Sequence, residues 1–203
     1  MSKPDVLVIG ISSPSGGGKT TLTRRVAELL PEAIAIFFDD YDFDTIHPDS
    51  FRKWLEQGAD YNAWKTPKLA KDLQRLRSRQ SIVSPVDGLA IIPSKFVVFD
   101  APLGYAHSET AELIDFMVFI DTPLDVAMAR RLLRDFPSTS KDGLSSRIDC
   151  LRAQLNAYVD YGRLAYLEMD QQIKSGCDLI IDGTRPVDEI AHEIVWAINA
   201  KVV

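Results

Sequence analysis

Cysteine is nearly absent. Cys150 and Cys177 are the only two in 203 residues, and they form no CxxC or zinc-like spacing. That leaves no disulfide framework and no thiolate metal cage, and free thiols suit a reducing compartment. Histidine is as thin, with His47, His107 and His192 too scattered to suggest a metal site. No run approaches the ~18 apolar residues of a membrane span, so no membrane insertion is expected. The opening MSKPDVLVIGISS carries one lysine and an apolar run that breaks at a glycine-rich turn, too short for a secretory leader. Positive charge is also in deficit. Lys and Arg number 23 against 29 Asp and Glu, a net charge of -6, and such a surface repels nucleic acid and anionic lipid. A cytoplasmic protein acting on small molecules is the class left open.

What is present is an ordinary globular composition, 46% hydrophobic and 26% charged, enough for one domain with a sizeable core. Short apolar runs alternate with helical patterns, the signature of βαβ units around a parallel sheet. Strands are predicted over 6–11, 33–38, 96–99, 116–120 and 179–181. The runs are apolar throughout, as suits strands covered on both faces. Leu22, Val26, Leu29 and Leu30 mark one helical face, and Val187, Ile190, Ala191, Ile194, Val195 and Ile198 mark another after Pro186. Two stretches lie outside this alternation. Residues 41–94 are polar with scattered aromatics, and 122–169 look helical with an arginine cluster. Both are predicted to cover the site of a single domain spanning 1–203, the first on the acceptor side and the second as a lid.

The most informative segment is Ser13-Pro14-Ser15-Gly16-Gly17-Gly18-Lys19-Thr20, followed by Thr21. It follows a predicted strand and opens a predicted helix, and it fits the phosphate-loop pattern with Ser13 where the first glycine belongs. Glycines let successive backbone N–H groups converge on phosphate oxygens, and the helix N-terminus adds its positive end. Lys19 is placed for the β- and γ-phosphates, the Thr20 hydroxyl for Mg²⁺ and Thr21 for the α-phosphate. The pattern names a nucleotide ligand, not a reaction.

Four predicted strands run into aspartate, at Asp39, Asp100, Asp121 and Asp182, and ligands in open α/β sheets bind beyond such carboxyl ends. Asp39 is the candidate general base, with Asp40 beside it; the competing role for either is to cap the following turn. Asp100 ends an apolar strand and is the candidate Mg²⁺-holding carboxylate. Arg131 and Arg134, three apart on one helical face, are candidates to neutralise a transferring phosphoryl group, while Arg130 is read as solvated. Asp182-Gly183-Thr184 is the candidate border of the nucleotide base.

These motifs together resemble the uridine kinase group of phosphate-loop kinases, which includes nicotinamide riboside kinase and, more distantly, phosphoribulokinase. The resemblance rests on residues 9–22, on Phe38-Asp39-Asp40-Tyr41, on Phe99-Asp100-Ala101-Pro102-Leu103, and on Asp121-Thr122-Pro123 followed by Arg130-Arg131-Leu132-Leu133-Arg134-Asp135. It implies an α/β fold, a three-layer phosphate-loop NTPase sandwich with a mostly parallel five-stranded sheet and a helical lid. It implies ATP and Mg²⁺ as cofactors, transfer of the γ-phosphate to a hydroxyl of a nucleoside-like or vitamin-like acceptor, and compatibility with a homodimer. By resemblance Asp40, Tyr41, Tyr61 and Trp64 fall on the acceptor side, Asp100 stands where glutamate is usual, and Lys141 is a further lid cation. The family's base-reading Tyr-Asp and downstream His have no match around Pro85-Val86-Asp87, so no base is named. Two other readings stay open: a nucleoside monophosphate kinase, for which Arg52, Lys53, Lys65 and Lys68 offer basic side chains, and a non-catalytic nucleotide-binding regulator. Against the regulator stands the absence of an Asn-Lys-x-Asp guanine-reading motif.

Overall fold

The computed structural model describes residues 5–137 and 143–202. From the amino end, β1 (Leu7–Ser12) leads into α1 (Lys19–Leu29) and β2 (Ala33–Phe37), which ends in a 3₁₀ turn at Phe38–Tyr41. The next stretch holds α2 (Phe51–Glu56), α3 (Pro67–Arg77) and a short antiparallel hairpin of β3 (Ile82–Val83) and β4 (Ala90–Ile91). Then come β5 (Phe96–Asp100), α4 (Ser108–Ala111), β6 (Phe116–Asp121) and α5 (Leu124–Asp135). After the undescribed residues, α6 (Leu144–Ala157) runs through a π turn at Tyr158–Gly162 into α7 (Arg163–Gln172), and β7 (Leu179–Asp182) and α8 (Val187–Val202) close the chain.

Five strands form one parallel sheet in the order β2-β5-β1-β6-β7. The alternation of side chains explains why its strands read as unbroken apolar runs. Ile9, Ile11, Phe96, Val98, Val118 and Ile120 face the layer of α1 and α8, where they meet Leu22, Val26, Ile190 and Ile194. Val8, Val97, Phe99, Met117 and Phe119 face the opposite layer, with Leu69, Leu73 and Leu76 of α3 and Ile173. Those three leucines repeat at i, i+4 and i+7 behind Pro67 in the first turn of α3, so helix and core stripe share one origin.

The strand ends differ slightly from the sequence prediction. Asp100, Asp121 and Asp182 are the last residues of their strands rather than the first beyond them, because the ladder continues through Ile11↔Asp100 and Asp121↔Asp182. The β3–β4 hairpin was not predicted. It has only two residues per strand, below what period-two patterning can mark.

Candidate phosphate-loop site

The turn from β1 into α1 is held by its own short contacts. Gly17 N–H donates to Pro14 O at 2.8 Å, and the Ser13 hydroxyl, fully buried, donates to the same carbonyl at 3.0 Å. A Cβ on Gly17 would lie 2.6 Å from Ser13 Oγ, so the serine is accommodated by the glycine facing it. Ser13 is not among the residues with positive φ; those in the loop are Gly16 at 87° and Gly18 at 104°. Serine in place of the first glycine therefore braces the loop instead of straining it. Gly18 then serves as the N-cap of α1, a left-handed geometry natural to glycine.

A cavity of about 420 Å³ opens over this loop, lined by Gly16, Gly18, Lys19, Thr20, Thr21, Asp39, Arg130 and Arg134. Ser13, Ser15 and Gly17 belong to the loop but do not line the cavity. Asp39 is exposed to it, held by the 3₁₀ turn that ends β2. Asp40 is not part of that lining; burial, together with the neighbouring Asp39 charge, raises its pKa. At the floor, Asp100 is 2% exposed and its Oδ2 accepts from the Thr20 hydroxyl at 2.8 Å. Burial raises the Asp100 pKa, and Lys19 and the Thr20 hydroxyl oppose this. Its other oxygen, Oδ1, is buried with no hydrogen-bond partner. Such an orphaned carboxylate oxygen costs free energy until something electropositive meets it.

The other aspartates at strand ends have structural partners. Asp121 pairs with Lys174 at 2.8 Å, and Asp182 Oδ1 caps its own turn by accepting from Thr184 N and Oγ1. The neighbouring Gly183 carbonyl accepts from Arg130 at 3.0 Å, which ties the 182–184 turn to α5 beside the cavity.

The arginines divide differently from the expected pairing of Arg131 with Arg134. Arg130 and Arg134, four apart, share the phosphate-loop cavity, while Arg131 points to a second cavity of about 430 Å³. That cavity lies between α2, α5 and the α6–α7 run, and its lining includes Phe51, Gln154, Tyr158, Tyr161 and Tyr166. Arg131 Nη1 approaches Tyr166 Oη at 3.4 Å, its Nε forms a long ion pair with Asp135 Oδ2 at 3.5 Å without a well-aligned hydrogen bond, and Gln154 Oε1 is buried without a hydrogen-bond partner. At 100° per residue, positions three and four apart both share a face, so spacing alone could not choose between the two pairs. Gln154 carried no sequence signal.

The predicted acceptor aromatics lie away from both cavities. Tyr41 is 1% exposed, Tyr61 5% and Trp64 6%, and none lines either cavity. Tyr41 donates its hydroxyl to Asp72. Trp54 and Trp64 pack edge to face at 4.9 Å, with Tyr61 stacked on Trp64 at 5.9 Å. These rings are core, packed in one cluster with Val8, Val97 and Phe99 of the sheet, whereas Phe43 and Phe51 of the same stretch stay exposed. Lys141 lies outside the described residues.

Comparison with known proteins now adds a name to this geometry. Residues 8–178 match the sequence profile described as the Phosphoribulokinase / Uridine kinase family. The chain belongs to that family. Relatives include a uridine kinase of Borrelia duttonii (strain Ly), 28% identical over 87% of this chain and 86% of its own length. A uridine kinase of Chlamydia pneumoniae is 26% identical over 88% of this chain and 82% of its own. Among solved structures, the shikimate kinase of Acinetobacter baumannii in complex with shikimate superposes with a TM-score of 0.55 at 16% identity, covering 98% of this chain and 96% of that one. That likeness is one of fold, and it agrees with the parallel sheet and its phosphate-loop turn.

Members of the phosphoribulokinase and uridine kinase family are kinases, and the chain is a phosphotransferase of that kind, using a nucleoside triphosphate and a small-molecule hydroxyl acceptor. The donor set suits a hard cation such as Mg²⁺, which takes few protein ligands and completes its shell with phosphate oxygens and water. Thr20 Oγ1 and the unpartnered Asp100 Oδ1 are oxygens of that kind, and among the described residues there is no group of three or more His, Cys, Asp or Glu. Among those residues, too, no helix is long and apolar enough to cross a membrane.

Proposed function

We propose that the chain transfers the γ-phosphate of ATP to a hydroxyl of a nucleoside-like or vitamin-like acceptor, with the triphosphate over the loop at 13–21 and the acceptor in the neighbouring cavity. The observation that carries this reading is the pair of cavities on either side of α5, one lined by Lys19, Asp39, Arg130 and Arg134, the other by aromatics with Arg131 and Gln154. Stretch 41–94 then forms the acceptor-side wall and 122–169 the lid of one domain. Two free thiols and an acidic surface suit a cytoplasmic location.

In this reading the chain does the work of positioning and charge neutralisation. The amides of Gly16 and Gly18 and the Lys19 ammonium hold the phosphates. Asp39 accepts the acceptor's hydroxyl proton as its oxygen bonds to the γ-phosphorus, and the bond to the β-phosphate oxygen breaks to release ADP. Arg130 and Arg134 offset the charge gathering on the transferred group. Mg²⁺, held by Thr20 and Asp100, would supply a fixed positive charge against the β- and γ-phosphate oxygens.

The second cavity favours an alcohol over a phosphate acceptor. Its described lining has one cation, Arg131, where a mononucleotide would need a basic cluster. The other basic side chains considered for that role are engaged elsewhere or absent from the lining, Arg52 with Asp160 and Lys68 with Asp72. The Arg131 guanidinium, whose Nε lies 3.5 Å from Asp135, and the unpartnered Gln154 Oε1 offer a donor group and an acceptor, a match for hydroxyl groups on a small ring.

The test is Mg-ATP-dependent ADP release across nucleosides, nucleotides and vitamin alcohols. Acceptor-stimulated release is expected with an alcohol, and its absence across the panel, despite ATP binding, rejects the reading. Lys19→Ala should lose nucleotide affinity. Asp39→Asn should keep nucleotide binding and lose turnover by about 10²–10⁴-fold, the usual reach of a general base.

A further inference from the structure

The phosphate loop is pinned from behind by a residue outside it. Thr122, between β6 and α5, is 2% exposed, and its hydroxyl donates to Gly17 O at 2.9 Å. A peptide unit is planar and trans, so its carbonyl and the following N–H point in opposite directions. Holding the Gly17 carbonyl inward therefore aims the Gly18 N–H outward, toward the cavity that Gly18 lines. Three successive glycines make this restraint consequential, since Gly16-Gly17-Gly18 has no side-chain bulk to resist a peptide flip.

Two close approaches show that the pin is built in. Gly16 has φ 87°, and a Cβ there would strike the Ala127 carbonyl in the first turns of α5. A Cβ on Gly183 would strike the Thr122 hydroxyl itself and come within 2.7 Å of Ile120 Cγ2. The carbonyl of that same Gly183 accepts from Arg130. Loop, Thr122, the 182–184 turn and α5 are thus in direct contact, and the glycines are the places where they touch.

We infer that Thr122 is a positioning residue for phosphoryl transfer, locking the Gly17–Gly18 peptide so that the Gly18 N–H faces the nucleotide phosphates. This rests on the reading of the cavity as a nucleotide site. The discriminating variants are Thr122→Val, which keeps the shape and removes the hydroxyl, and Thr122→Ser, which keeps the hydroxyl. Calorimetric affinities for Mg-ATP and adenosine, together with steady-state kinetics, give the readout. Thr122→Val should weaken Mg-ATP binding and kcat/KM for ATP on the order of ten-fold, the worth of one oriented hydrogen bond to a charged group. Adenosine affinity and the acceptor KM should stay within about twofold, because neither meets the loop amides. Thr122→Ser should restore Mg-ATP affinity.

Wild-type Mg-ATP affinity in Thr122→Val overturns the inference, as does equal weakening by Thr122→Ser. A uniform loss for ATP, adenosine and acceptor overturns it too, since that is what general loosening of the fold would give. Should Thr122→Val not fold, Gly183→Ala displaces the same hydroxyl, and ATP-selective weakening is again expected while unchanged ATP affinity rejects the role. Failure of the wild-type protein to bind Mg-ATP would reject the nucleotide reading itself, a result distinct from a silent Thr122 variant.

Discussion

At the scale of single residues, Asp100 shows how two opposed influences set a site's working range. Burial raises its pKa, while Lys19 and the Thr20 hydroxyl act the other way and do not fully offset it. A carboxyl that holds its proton to higher pH than the usual ~4 makes protons compete with Mg²⁺ at mildly acid pH. The Mg²⁺ concentration for half-maximal ADP release should therefore rise as pH falls, beginning above the ordinary aspartate range. A Mg²⁺ requirement that stays flat down to pH ~4 would count against Asp100 as the metal carboxylate. The sign for folding is opposite. A group whose folded pKa exceeds its unfolded value binds protons better in the native state, so its effect on stability improves as pH falls through that window. Loss of activity should thus precede acid unfolding, which circular dichroism on the same samples can separate. The residue type at 100 was legible as the end of an apolar strand; its unpartnered oxygen was not.

Among the elements, α5 decides most. Its twelve residues present Arg130 and Arg134 to one cavity and Arg131 to another, so one helix lines both. The spacing Arg-Arg-x-x-Arg marked a basic helix but not the split, which depends on where Ala127 meets the loop at Gly16. Steady-state kinetics of methionine variants would expose the division. Arg131→Met should raise the acceptor KM on the order of ten-fold with the ATP KM unchanged, the expected cost of one charged hydrogen-bonding group. Arg130→Met and Arg134→Met should instead lower kcat and kcat/KM for ATP. The same pattern in all three variants would mean that the two cavities are not functionally separate.

At the scale of the whole molecule, four aromatics of 41–94, Tyr41, Trp54, Tyr61 and Trp64, join the insertion to the sheet's core. Trp54, Tyr61 and Trp64 belong to the same buried cluster as Val8, Val97 and Phe99. Trp64→Ala should cost about 3–5 kcal/mol of unfolding free energy, as removal of a buried large aromatic does, measured by urea titration. A stability loss below 1 kcal/mol with weakened acceptor binding would return Trp64 to the acceptor site. By itself the sequence determined the strand order's raw material, the strand–loop–helix at 6–22 and the family, because apolar periodicity and glycine spacing are local properties. It placed the phosphate-loop pattern around Lys19 and carboxylates at strand ends. Only the tertiary structure decided which of those carboxylates face the loop, Asp39 and Asp100 and not Asp121 or Asp182, since that depends on the β2-β5-β1 adjacency. The same long-range packing sent Tyr41, Tyr61 and Trp64 inward, divided the arginines and brought Thr122 to within hydrogen-bond distance of Gly17 across 105 residues of chain.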